Sequence, residues 1–196
     1  MSNKIIIVAG YLAAGKSTFT IRLSKMINVS YLIKDTFKIA LCESAKITNR
    51  EEGSLFSAVT FDGMMYVVER LMETGYPVII EGNFVPAGMK KVDEAGVIKA
   101  VIAKYGYQSL TFKFTGDTRI LYERYIERDK LPERGDANRD FEEVPYEIFS
   151  QYCRNLDDFD VGGDVIKIDT TDFSKVEFDS YIEKARCFMN GDVIKM

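Results

Sequence analysis

The chain has 196 residues, 46% of them apolar, with a formal net charge of −4 and no histidine. That length fills one domain core without needing a second. The acidic balance argues against a broad electrostatic footprint for nucleic acid or an anionic membrane, and the missing histidine removes a Ser-His-Asp triad and any histidine-bearing zinc site.

The first element is the β-branched run over residues 5–9, which empties directly into GYLAAGKST, residues 10–18. This is the phosphate-binding pattern G-x-x-x-x-G-K-[ST] between an expected strand and an expected helix at 16–27. Gly10 and Gly15 lack a Cβ, so the backbone through Ala13 and Ala14 can curl with its amides pointing inward at phosphate oxygens. The helix that follows adds its unsatisfied amino-terminal amides and positive dipole end. Lys16 is spaced to reach the β- and γ-phosphates, Ser17 to ligate Mg²⁺, and Thr18 to face the α-phosphate. ATP and Mg²⁺ are therefore the expected ligands; no N-K-x-D run is present to read guanine.

A second strand is expected at 30–33, followed by a helix at 36–43. Asp35 lies between them, at a strand's carboxyl end beside the loop, where a carboxylate can orient and deprotonate an attacking hydroxyl. Asp is also a favoured helix cap, which would explain it without catalysis. A long helix at 55–74 carries the stripe Phe56, Val59, Met64, Val67, Val68, Leu71, read as core packing, and stops at Gly75 with Pro77 beyond. The third strand, 78–81, ends in Glu81-Gly82-Asn83. Glu81 is positioned to hold Mg²⁺ through water and Asn83 to touch the acceptor, although a strand-closing turn needs neither role.

A helix at 89–105 and a strand at 110–115 come next, then a helix at 117–128. The arginines Arg119, Arg124, Arg128, Arg134 and Arg139 stud that helix and the turn-rich interval after it. Mobile guanidinium groups suit phosphoryl transfer, which leaves negative charge on equatorial oxygens, while interleaved acids would equally make a solvated charged face. The interval 128–140, with Pro132, Gly135 and Asn138, reads as a small mobile lid. A last strand at 165–168 and a helix at 175–189 close the chain, and the Ile168-Asp169-Thr170-Thr171 backbone lies where a base could be read.

Alternating strands and helices imply an α/β fold: a doubly wound, five-stranded parallel sheet in a single domain over 1–196. Cys42, Cys153 and Cys187 have no C-x-x-C spacing and read as reduced thiols of a cytoplasmic protein. No apolar run approaches the about 18 residues of a spanning helix, and no charged-then-apolar leader opens the sequence.

The joint order of GYLAAGKST, Asp35, the run Val78-Ile79-Ile80-Glu81-Gly82-Asn83, Arg124-x-x-x-Arg128 and Ile168-Asp169-Thr170-Thr171 resembles the P-loop kinases. The similar group contains polynucleotide 5′-hydroxyl kinases, zeta toxins, chloramphenicol phosphotransferase and gluconate kinases. The resemblance covers nearly the whole chain and implies a P-loop NTPase fold like that of the nucleoside-monophosphate kinases. It implies that the position of Asp35 activates the acceptor, that Arg124 borders adenine, and that Arg128 is a lid arginine meeting the phosphates. Arg134, among the arginines of the turn-rich interval, is read separately as a substrate contact. Glu81 stands where many relatives carry Asp. The expected activity is ATP-dependent phosphorylation of a hydroxyl on a small molecule or nucleoside-like metabolite. Alternatives are a polynucleotide 5′-hydroxyl or zeta-toxin-like sugar-nucleotide kinase, or a nucleotide-gated ATPase or switch with no acceptor.

Overall fold

Four β-branched residues in a row cannot expose either face of a strand to water, and Ile5 to Val8 accordingly form the centre of strand β1 (Lys4–Gly10), buried along its whole length. The computed structural model describes residues 3–47, 49–85, 93–131 and 144–192. Four further strands flank β1: β2 (Tyr31–Ile33), β3 (Val78–Glu81), β4 (Gln108–Thr115) and β5 (Asp164–Asp169). Every neighbouring pair is parallel, in the spatial order β2-β3-β1-β4-β5. The helices are α1 (Lys16–Ile27), α2 (Lys34–Ser44), α3 (Arg50–Glu73), α4 (Glu94–Tyr105), α5 (Thr118–Asp129), α6 (Tyr146–Arg154) and α7 (Phe178–Asn190).

Side-chain alternation along β1 divides the core in two. Ile6 and Val8, with Phe112 and Phe114 of β4, pack against Phe19 and Leu23 of α1, Leu121 and Tyr125 of α5, Phe149 of α6 and Ile182 of α7. Ile5 and Ile7, with Ile80 of β3, pack against Phe61, Met64 and Val68 of α3 and Ile98 and Ile102 of α4. Phe19 is the pivot of the first layer, its ring 5.2 Å from Phe112 and 5.4 Å from Phe114, a separation at which aromatic pairs gain beyond area burial. It fixes α1, and with it the loop before α1, on the sheet.

The five strands and their order along the chain agree with the sequence reading; several boundaries and one stripe do not. Helix α2 starts two residues early, with Ile33 at its N-cap, so Asp35 stands in the first turn rather than capping it. In α3 the buried line is Phe61, Met64, Met65, Val68 and Met72, spaced at three and four residues, whereas Val59 and Val67 are exposed. The expected stripe was rotated off the core because apolar residues sit on both sides of this helix. α7 begins at Phe178 because Phe173–Lys175 forms a separate 3₁₀ turn capped by Asp172. α6 was not anticipated: its buried positions, Phe149, Ser150 and Cys153, make too short a pattern within nine residues, although Pro145 at the N-cap position marks the start.

Candidate active site

At the end of β1 the chain turns through three left-handed residues, Gly10 at φ +115°, Ala13 at +56° and Gly15 at +83°. Such alternation turns successive amides toward one concavity. Gly10 is required by contact as well as by φ. The Tyr11 amide donates to the Phe114 carbonyl at 2.9 Å, and a Cβ on Gly10 would lie 2.1 Å from that oxygen. Gly15 is the N-cap of α1, and no side chain caps this terminus, so its first amides remain available to an anion.

Lys16 is folded back over the loop. Its ammonium donates to the Gly10 carbonyl at 3.0 Å and the Tyr11 carbonyl at 2.7 Å, and the side chain is almost fully buried. Desolvation pulls its pKa below the usual lysine value, against the opposing pull of Glu81 and Asp35. Loss of hydration is the condition in which a cation gains most from meeting phosphate oxygens.

Parallel registry brings Glu81, the last residue of β3, level with Val8 of β1 and Ile33 of β2. The Ser17 hydroxyl donates to Glu81 Oε2 at 2.8 Å. Burial raises the Glu81 carboxyl to about 6, with Lys16 and the Ser17 bond pulling down and Asp35 pushing up. Arg128, in the last turn of α5, adds its field to both Lys16 and Glu81. Lys16, Ser17, Glu81, Asp35 and Arg128, taken from four separate stretches of sequence, thus converge at the carboxyl end of the central strands, where open parallel sheets bind ligands.

Beside this centre is a small polar cleft lined by Lys34, Asp35, Lys38, Ser57, Thr60 and Asn83. Lys34 is buried in a salt bridge with Glu94, whose second oxygen accepts the Val85 amide at 3.1 Å. The Lys34 ammonium also lies 5.5 Å from the ring centre of Phe61 and 5.9 Å from that of Phe84. This brace ties the start of α2, and hence Asp35, to the start of α4 and the chain after β3.

On the far side of the loop, Arg124 donates to the carbonyls of Thr170 and Thr171 at 2.6 and 2.8 Å. Those are the backbone groups singled out after the last strand, and the guanidinium is their partner here. The loop is braced from below as well. The Tyr11 hydroxyl donates to Asp157 at 2.8 Å, and burial with that carboxylate pushes the phenol upward.

Of the residues named from sequence, Gly10, Ala13, Ala14, Gly15, Lys16, Ser17, Thr18, Asp35, Glu81, Asn83, Arg124 and Arg128 all border this region. Arg119 turns away and stacks on Tyr146, 4.4 Å from its ring centre. Arg134, Arg139 and residues 132–140 of the expected lid lie outside the described residues. Geometry adds Lys34, Glu94 and Phe173, which belong to no motif, and Tyr11, which fills a variable position of the loop pattern; a lysine directly before Asp35 was a further visible hint.

No family model matches the chain, and no curated protein gives a significant match. Solved structures do. A kinase candidate from Chloroflexus aurantiacus superposes with a TM-score of 0.83 at 19% identity, covering 95% of this chain and 98% of that one. A sugar kinase from a Janibacter species gives 0.57 at 13% identity, covering 96% and 95%. Shikimate kinase from Acinetobacter baumannii, solved with shikimate, gives 0.57 at 16% identity, covering 98% and 96%. At these identities the likeness is one of fold: the chain has the five-stranded parallel α/β architecture of P-loop kinases.

Proposed function

We propose that this chain is an ATP-dependent kinase that transfers the γ-phosphate to a hydroxyl of a small molecule or nucleoside-like metabolite. The single observation that carries the reading is the convergence of a desolvated Lys16, the Ser17–Glu81 pair and Asp35 beside a loop that turns through three left-handed residues. In this reading the Gly10–Thr18 backbone cradles the phosphates, and Lys16 leaves its carbonyl partners for the β- and γ-oxygens. Arg124 borders the base. Asp35 accepts the proton of the acceptor hydroxyl while holding that oxygen in line, with Asn83 and Arg134 contacting the acceptor. Arg128, in the last turn of α5 where the expected lid begins, neutralises charge that develops on the transferred group.

The donor set suits Mg²⁺, which keeps several waters and needs only one or two protein oxygens beside substrate phosphates. Ser17 Oγ and, through water, Glu81 would hold it, and bound there it would screen the phosphate charge. We further propose one domain over 1–196 acting in the cytoplasm; no described helix is long and apolar enough to cross a membrane. The sugar and shikimate kinases of similar fold act on small hydroxyl-bearing substrates, as their names state, which supports an acceptor of that class.

The test is a panel of sugars, sugar acids, nucleosides and 5′-hydroxyl oligonucleotides incubated with γ-labelled ATP and Mg²⁺. Label on a small-molecule hydroxyl supports the reading. Label only on oligonucleotide ends, or release only to water, would replace it with a polynucleotide kinase or an ATPase.

A further inference from the structure

The face of Arg124 that borders the base in the reading above is already covered by a ring of the chain itself. Phe173 opens the 3₁₀ turn after β5, and the Arg124 guanidinium carbon lies 4.1 Å from its ring centre. The same ring reaches the phosphate loop: a Cβ on Gly15 would sit 2.8 and 2.9 Å from its Cζ and Cε1. The cleft beside it is lined by Gly15, Thr18, Phe19, Arg22, Phe173 and Phe178. A base joined through ribose to a phosphate held at Gly15–Thr18 has to lie in this space, with a flat face to offer the guanidinium. Phe173 supplies such a face now.

We propose that Phe173 is an internal competitor for the nucleobase: its ring stacks on Arg124 in the free protein and must swing away for a nucleotide to bind. This rests on the nucleotide reading above. Two features make the exchange feasible. Phe173 is 39% exposed, belongs to a single 3₁₀ turn and has the Phe178 ring at 6.5 Å beside it, whereas Arg124 is fixed independently by two carbonyls and keeps its orientation when the ring leaves. A site open for only a fraction of the time binds with its affinity reduced by that fraction. A guanidinium–ring stack of this kind is strong enough to lower affinity about 3–30-fold.

The experiment is calorimetric titration of wild type, Phe173→Ala and Phe173→Tyr with ATP and, separately, with inorganic tripolyphosphate, both with Mg²⁺. Phe173→Ala should tighten ATP about 3–30-fold and leave tripolyphosphate unchanged, and Phe173→Tyr, which keeps the ring, should match wild type. Circular dichroism checks that each variant is folded. Weaker ATP binding by a folded Phe173→Ala would overturn the proposal and make the ring a wall that stacks on the base. Unchanged ATP affinity would overturn it too, leaving Phe173 a bystander. If neither probe binds any form, the nucleotide reading itself fails, and that outcome is distinct from the other two because tripolyphosphate needs no base site.

Discussion

Replacing Glu81 with Gln should make the ligand-free protein more stable at neutral pH while weakening the proposed Mg²⁺ site. The Glu81 carboxyl is buried and displaced from 4.5 to about 6, chiefly by desolvation. That displacement corresponds to about 2 kcal/mol. The folded-state value lies above the unfolded one, so the folded protein holds the proton more tightly and loses stability as pH rises from 4.5 through about 6. Above that window the full penalty stands. Glu81→Gln keeps the shape of the protonated form and removes the penalty, with the loss of charge opposite Lys16 already contained in the net displacement. Urea unfolding of wild type and variant should differ by about 2 kcal/mol near pH 8, and the two curves should converge below about pH 4.5. The variant should bind Mg²⁺ with its nucleotide about 10–100-fold more weakly, the usual consequence of removing an outer-sphere carboxylate. A variant that is less stable than wild type at pH 8, or a difference that does not change with pH, would refute the account of Glu81 as a strained functional acid.

Asp35→Asn should lower transfer to the true acceptor by about 10²–10⁴-fold with ATP affinity retained, measured with label on the acceptor and by nucleotide titration. Gly10→Ala, which drives a Cβ into the Phe114 carbonyl at a left-handed φ, should cost at least about 2 kcal/mol in urea unfolding. Lys34→Met leaves Glu94 buried and uncompensated and should cost about 3–5 kcal/mol; adding Glu94→Gln should recover much of that loss.

Local pattern carried the centre of the fold because β1 and β3 are short runs rich in β-branched residues, buried along their whole length, and parallel strands buried on both faces have little else they can be. The proposed phosphate loop was legible because its glycine spacing, lysine and hydroxyl are adjacent in sequence, so the pattern lies within nine consecutive residues. Asp35 and Glu81 could be named from their place at strand ends. Their mutual effect could not, since the displacement of Glu81 depends on burial and on Lys16, Asp35 and Ser17 arriving from elsewhere. The Lys34–Glu94 brace joins residues sixty apart, and Phe173 meets Arg124 across a 3₁₀ turn that the helical pattern hid. Val59 and Val67 misled because α3 has apolar residues on its outer face also, and periodicity alone cannot say which stripe faces the sheet.

The central claim, that residues 10–18 hold the phosphates of a nucleotide, is tested most directly by titrating ATP with Mg²⁺ into wild type and Lys16→Ala. Among the described residues Lys16 donates only to carbonyls of its own loop, so the variant should remain folded by circular dichroism. Wild type should bind, and Lys16→Ala should bind at least about tenfold more weakly, the loss expected for one charge-assisted contact of about 1.5–3 kcal/mol. Equal affinity in the two folded proteins, or no binding by wild type, would contradict it.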